Sequence, residues 1–173
     1  MLELSIRGLY DESPACLALR FREVIDRSIS AEIDGSFSSA GFHFLFPCTF
    51  LGYDLLRFSE ELTHAHRHLD GIARLTTFDE RINICIGPRY PARHEFVLGA
   101  RLARPSLMDV PDIGLLQTHF SAGLQIVFSG IIIDQSHLPH IAASIRSFLR
   151  EQNVNVKSPW ERDQAENGEV AAG

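Results

Sequence analysis

Residues 54–71 read DLLRFSEELTHAHRHLDG, and the spacing of their apolar side chains is the strongest structural signal in the chain. Apolar residues recur there at intervals of three or four, at Leu55, Phe58, Leu62, Ala65 and Leu69. At about 100° per residue these positions lie on one face of a helix, roughly 80° wide. The stretch therefore predicts an amphipathic helix over 54–69 that docks on a sheet. Asp54 can cap its first amides, and Gly71 can adopt the left-handed conformation that ends it.

The residues before this helix alternate between apolar and polar side chains, which is the period of a half-buried β-strand. The alternating runs predict an antiparallel meander, with strands over 2–6, 17–21, 29–33 and 42–46. We interpret Asp26-Arg27 as a break within one strand, Asp34-Gly35 as a hairpin turn and Pro47 as the end of the last run.

Strand patterns return after the helix, over 72–78, 81–86 and 94–104. Gly87-Pro88-Arg89-Tyr90-Pro91 is predicted to form the turn between the last two. Two prolines and a glycine predict a surface loop over 105–114. The run 115–133 is too long for one regular strand and is interrupted at Gly123, so we expect a bulge or two strands there.

A second helix is predicted over 136–150. Its apolar stripe is formed by Leu138, Ile141, Ile145 and Phe148. Ser136 can cap this helix, and Pro139 lies in its first turn, where a missing amide proton costs little.

The order of elements is a β-meander, a helix, a second meander and a second helix, and no internal repeat is visible in the sequence. Because strands and helices do not alternate one by one, the pattern favours an α+β fold over a doubly wound α/β fold. We expect one domain over 1–150, with the two helices about 54–69 and 136–150 packed against an antiparallel sheet. Residues 151–173 are poor in aliphatic side chains and rich in acids, which predicts a disordered acidic tail.

Composition limits the classes of function. The chain has 173 residues, with 16 basic and 22 acidic side chains and a formal net charge of −6. That balance argues against nucleic acid as a partner, because phosphate binding rests on clustered Lys and Arg. No apolar stretch is long enough to span a membrane, and no signal peptide is visible. Three widely spaced cysteines, Cys16, Cys48 and Cys85, are expected to be buried free thiols, which favours a cytoplasmic protein.

No motif predicts catalysis, a cofactor or a metal. His64 and His68 are one helical turn apart, but the string HAHRH lacks the glutamate of a zinc protease, and both histidines point away from the apolar stripe. His43, His94 and His119 could converge across a sheet, although strand histidines are more often simple surface side chains. No GxSxG, GxGxxG or Walker motif is present. We therefore expect no catalytic, cofactor-binding or metal-binding residues.

A family resemblance rests on four segments. They are the opening strand Leu2–Ile6, the helix closing in Leu69-x-Gly71, the strand pair around Arg74-Leu75 and Arg81–Ile84, and the corner Phe128-x-x-Ile131-Ile132-Ile133-Asp134-Gln135-Ser136-x-Leu138. In this order the chain resembles the WapI family of bacterial immunity proteins over most of 1–150. It differs from that family by a longer segment at 103–124.

The resemblance implies a non-enzymatic protein that neutralises a cognate bacterial toxin by binding it. An acidic inhibitor can be steered to the basic surface of a nuclease toxin. Two other functions remain open from the sequence. One is a self-associating scaffold, a homodimer paired through exposed sheet edges. The other is a small-molecule-binding protein with a pocket between the sheet and helix 55–69.

Overall fold

The computed structural model describes residues 1–8, 15–25, 27–37, 42–77, 81–90, 95–103 and 125–154. Eight strands and two helices follow one another within these ranges. They are β1 (Leu2–Arg7), β2 (Ala15–Ile25), β3 (Ser28–Phe37), β4 (Phe42–Leu51), α1 (Gly52–His68), β5 (Ala73–Thr76), β6 (Ile82–Tyr90), β7 (Glu95–Ala103), β8 (Gln125–Asp134) and α2 (His137–Glu151).

The strands form two antiparallel sheets rather than one. Sheet A has the order β1-β2-β3-β4 and sheet B the order β5-β6-β7-β8, each a meander of neighbouring hairpins. A helix follows the last strand of each sheet. The predicted α+β fold with two meanders and two helices is confirmed. The two meanders form two separate sheets, and not the one sheet that was expected.

Both helices bury the predicted stripe. In α1, Leu55, Phe58, Leu62 and Ala65 have no exposed surface. The helices lie against one another, α1 also contacts β5, and α2 contacts β1. Each helix therefore packs beside the first strand of the sheet that it does not follow. The side chains of both sheets and both helices join in one hydrophobic core.

The ends of α1 differ from the predicted caps. Leu51 is the N-cap residue and makes no side-chain cap bond. Asp54 lies inside the first turn rather than at the N-cap, and burial raises the pKa of its carboxyl, an effect that Arg57 and the backbone of Leu51 oppose. At the other end Leu69 adopts the left-handed conformation, with φ of 56°, two residues before Gly71, with φ of 79°.

The first hairpin prediction was wrong. Asp34 and Gly35 lie inside β3, and β2 and β3 are antiparallel neighbours whose last pair is Ile25 and Ser28, so the expected break separates two strands. A Cβ built on Gly35 would overlap the ring of Phe44. Gly35 is therefore needed because the Phe44 ring of the neighbouring strand occupies the space beside it, and not because the chain turns there.

Two proline-based predictions were also wrong. Pro47 does not end β4, which continues to Leu51, because β4 is an edge strand and tolerates a residue without an amide proton. Residues 87–90 belong to β6, where the pairing with β7 shifts register between Pro88 and Tyr90. Pro91, the last residue of the predicted turn, lies outside the described residues.

The expected bulge is present in β8, at a different place. Leu98 pairs with Ile131 while the adjacent Gly99 pairs with Ser129, which leaves Gly130 as the extra residue. The predicted loop at 105–114 and the interruption at Gly123 lie outside the described residues.

The second helix begins after Ser136, which makes no side-chain cap bond, and Pro139 lies in its first turn as predicted. The core continues beyond 150, because Val154 is buried in it. Residues 155–173, for which the sequence predicts disorder, lie outside the described residues.

The two halves of the molecule share one plan that the sequence did not reveal. Each half is a four-stranded meander followed by a helix, and β4-α1 corresponds to β8-α2 at a constant offset. Thr63 and Arg146, which differ by 83 in number, illustrate it. The same offset relates Leu55 to Leu138 and Leu62 to Ile145, all of them fully buried.

Candidate interaction surface

A ladder of charged side chains crosses the outer face of sheet A. Because side chains alternate along a strand, the apolar side chains of β1–β4 point to the core and the polar ones lie on the outer face. Each strand contributes one residue to the ladder. The members, in strand order, are Glu3, Arg20, Asp34 and His43. Arg20 donates to Glu3 Oε2 at 3.3 Å and to Asp34 Oδ2 at 2.8 Å, and His43 Nε2 lies 2.8 Å from Asp34 Oδ1. We call these four residues the charged ladder.

Arg20 and Asp34, the two central residues of the ladder, shift each other's pKa values in the directions that favour their charged forms. Partial burial acts to raise the pKa of Asp34, but the hydrogen bonds from Arg20 and His43 outweigh it, so that this pKa lies below its ordinary value of 3.8. The bonds to Asp34 and then to Glu3 raise the pKa of Arg20. Both groups therefore stay charged at neutral pH and hold each other in place.

The surface around the ladder is mixed in character. Arg22 donates to Glu32 alongside it. Leu45, which faces Asp34 across β3 and β4, keeps half of its surface exposed. His43 is the most exposed ladder residue, at 65% of its side-chain surface. The face thus offers fixed charges around an accessible apolar side chain.

The ladder also brings together the residue types of a serine hydrolase. Ser36 lies opposite His43 in the register of β3 and β4, and His43 is bound to Asp34. A nucleophile needs a hydrogen bond to its base, and none of the described hydrogen bonds joins Ser36 to His43. We therefore interpret the group as part of a surface network.

The helical histidines point to solvent, as predicted. His64 and His68 are exposed, with ring centroids 4.5 Å apart, and His64 Nε2 lies 3.1 Å from Asp70 Oδ1. No group of three or more potential metal ligands occurs among the described residues. Of the three strand histidines, only His43 can be placed, because His94 and His119 lie outside that part of the chain.

The cysteines are unpaired, as predicted, but they are half-buried rather than buried. Cys16 Sγ lies 3.6 Å from Ser5 Oγ on the outer face of sheet A, and Cys85 Sγ donates to Asn83 Oδ1 at 3.0 Å. These contacts give Cys16 and Cys85 each a local polar partner.

An open groove of about 440 Å³ lies between the two helices. Its lining consists of Leu56, Arg146, Leu149, Arg150, Asn153 and Val154, and we call it the helix groove. The helix groove does not lie between the sheet and helix 55–69, where the sequence predicted a pocket, and Leu55, Phe58 and Leu62 on that inner side of α1 have no exposed surface. A second depression along α2 shares Arg146 and Arg150 with it.

The charge of the described residues differs from that of the whole chain. Acidic and basic side chains are nearly balanced there, so the excess of acids in the full sequence comes from the remaining segments, such as Asp11-Glu12 and Asp79-Glu80 between strands. No helix among the described residues is long and apolar enough to cross a membrane.

Comparison with known proteins gives no relative for this chain. It matches no protein-family model, no curated protein and no solved structure. Any assignment of function therefore rests on the sequence pattern and on the surfaces described above.

Proposed function

We propose that the chain is a non-enzymatic binding protein, an immunity-like inhibitor that neutralises a cognate bacterial toxin by covering it. The observation that supports this most is the charged ladder, a set of paired side chains on an open four-stranded face. The toxin is proposed to bind on this face of sheet A.

The ladder suits a protein partner for an entropic reason. Long charged side chains lose rotamer freedom when a partner immobilises them, and Arg20 is already held by two carboxylates. Arginine is also enriched among residues that dominate binding energy. Leu45 adds an apolar contact on the edge strand of the face, beside Asp34. Pre-ordered charges beside an exposed leucine favour contact with a macromolecule over capture of a small solute.

Steering and contact would be carried by different parts of the chain. The described surface has balanced charges, whereas acidic residues are concentrated in connecting segments and beyond Val154 in the sequence. Acids there can attract a basic toxin over distances of about 10 Å at moderate salt. The ladder then provides paired charges for specific contact.

Self-association through sheet edges, the alternative from the sequence, is less favoured. β4 carries Pro47 near its middle, where an added strand would find no amide proton. β5 has only four residues, and the backbone N–H of Arg74 already donates to Glu61 Oε2 at 2.7 Å. β1 lies beside β8. Among the described strands, then, each outer edge is short, interrupted or contacted by another element.

The test is binding and protection with the toxin domain encoded next to this gene. Co-expression should restore growth, and the purified proteins should form a complex. Arg20→Glu should weaken that complex by about tenfold or more, as expected for a charged residue at the centre of an interface. Arg101→Glu is the matched control, because Arg101 is an exposed strand arginine on sheet B.

Three outcomes would contradict the proposal. The first is an absence of binding to the neighbouring toxin domain. The second is an equal loss of affinity with Arg20→Glu and with Arg101→Glu. The third is a dimer at all concentrations by sedimentation, with the outer face of sheet A buried in it, which would favour the scaffold function instead.

A further inference from the structure

The helix groove has an apolar floor and a basic rim. Leu149 and Val154 are buried in its walls and Leu56 is half-buried beside them, while Arg146 and Arg150 stand one helical turn apart on α2. With the depression that shares both arginines, the concavity extends along the second half of α2. An elongated groove of this kind fits a peptide segment better than a compact molecule.

The two junctions between the helix ends differ among the described residues. In the first half, the side-chain amide of Gln135 donates to the carbonyl of His66 at 2.6 Å and ties the end of α1 to the start of α2. At the offset of Thr63 and Arg146, the residue equivalent to Gln135 is Gly52, which has no side chain. The end of α2 therefore lacks the matching polar tie to the start of α1.

The rim arginines are not neutralised among the described residues. Arg146 donates to the hydroxyl of Thr63 at 3.0 Å, which is a neutral partner. No described ion pair involves Arg146 or Arg150, and the nearby carboxylate of Glu151 accepts from Ser147 at 2.9 Å. Two guanidinium groups above an apolar floor favour an occupant that carries carboxylates together with an apolar side chain.

We propose that the helix groove binds the chain's own C-terminal segment, residues 155–173. The segment begins next to Val154, a residue of the groove wall. It carries four acids, Glu161, Asp163, Glu166 and Glu169, against two bases, and it contains the only tryptophan of the chain, Trp160. A segment tethered at its site meets it at an effective concentration of about millimolar, so modest contacts are sufficient for binding.

The single tryptophan makes the test direct. Acrylamide quenching and the emission maximum of Trp160 are measured in the full chain and in a synthetic peptide of residues 155–173. In the full chain we expect weaker quenching and blue-shifted emission. Arg150→Glu should lower the bound-to-free ratio of the segment about fivefold, as loss of an exposed ion pair does, and should shift quenching towards that of the peptide.

The matched control is Arg67→Glu. Arg67 is the equivalent of Arg150 on α1 and is also exposed, and its replacement should leave Trp160 quenching unchanged. Far-ultraviolet circular dichroism confirms that each variant is folded. The proposal is overturned if Trp160 in the full chain is quenched like the peptide, or if both variants change quenching equally. It is also overturned if the difference from the peptide disappears on dilution, which would place the segment on a second copy.

Discussion

The guanidinium of Arg146 donates to the hydroxyl of Thr63 at 3.0 Å, and the two residues occupy equivalent positions of α2 and α1. The helix packing is exchanged between the halves in the same way, because α1 contacts β5 and α2 contacts β1. The described residues therefore form two meander-helix units, and each helix packs against the first strand of the sheet that it does not follow.

Removal of this contact should weaken the junction of the helices. Thr63→Val keeps the shape of the side chain but loses the bond to Arg146 and the bond to the carbonyl of Ser59. We expect the free energy of unfolding to fall by about 1 kcal/mol, measured by urea denaturation. Ser147→Ala, which removes a hydroxyl bonded only to exposed Glu151, is the control and should cost less. Equal costs would mean that the contact contributes nothing.

The role of Gly35 can be tested by a double-mutant cycle with Phe44. Gly35→Ala should destabilise the protein by about 1–3 kcal/mol, because the new methyl group overlaps the Phe44 ring. In the background of Phe44→Ala the same change should cost little, since the ring is gone. If Gly35→Ala is equally costly in both backgrounds, the clash is not the reason for the glycine.

Leu62 tests the packing of α1. Its side chain has no exposed surface in the common core, so Leu62→Asp places an unpaired carboxylate among apolar groups. We expect a loss of about 4 kcal/mol or more, enough to unfold a marginally stable domain. Circular dichroism and the urea midpoint measure it. Glu60→Asp, on the exposed face of the same helix, is the control and should stay within about 0.5 kcal/mol.

The charged ladder predicts a specific dependence of stability on pH. Because the pKa of Asp34 in the folded state is below 3.8, its contribution is fully present above that value and is lost as pH falls through the lowered pKa. Asp34→Asn should therefore be less stable than the unmodified protein at neutral pH and should lose less stability between about pH 5 and pH 2. Urea midpoints across this range measure the difference. Parallel curves for the two proteins would contradict the prediction.

The stacked histidines of α1 are predicted to be dispensable. His64→Ala and His68→Ala should each change the free energy of unfolding by less than about 0.5 kcal/mol, since both side chains are exposed. Zinc should leave the melting temperature unchanged. A metal at 100 times its dissociation constant would add about 2.7 kcal/mol of stability, so a clear upward shift that His64→Ala abolishes would establish a site there.

The sequence predicted those parts of the fold that depend on neighbours along the chain. The apolar residues from Leu55 to Ala65 indicate a helix, because residues three and four apart share one face of a helix in any tertiary surroundings. The predictions were wrong where the role of a residue depends on a strand that is distant in the sequence. Gly35 resembles a turn residue until Phe44 is placed beside it, and Pro47 resembles a terminator until β4 is known to be an edge.

The interaction surfaces depend even more on distant residues. Glu3, Arg20, Asp34 and His43 look like ordinary outward residues of four strands, and only the register between the strands makes them a ladder. The difference between Gly52 and Gln135 beside the helix groove likewise becomes visible only when the two halves are compared at their constant offset.

The sequence by itself determined the class of the fold, the positions of both helices and which face of each strand is apolar, because periodicity is a local property of the backbone. The tertiary structure decided how the strands divide into two sheets, which charges meet and where a groove remains open. Those outcomes depend on contacts between residues far apart in the chain, and side-chain pairing across strands and helices has no signature in local spacing.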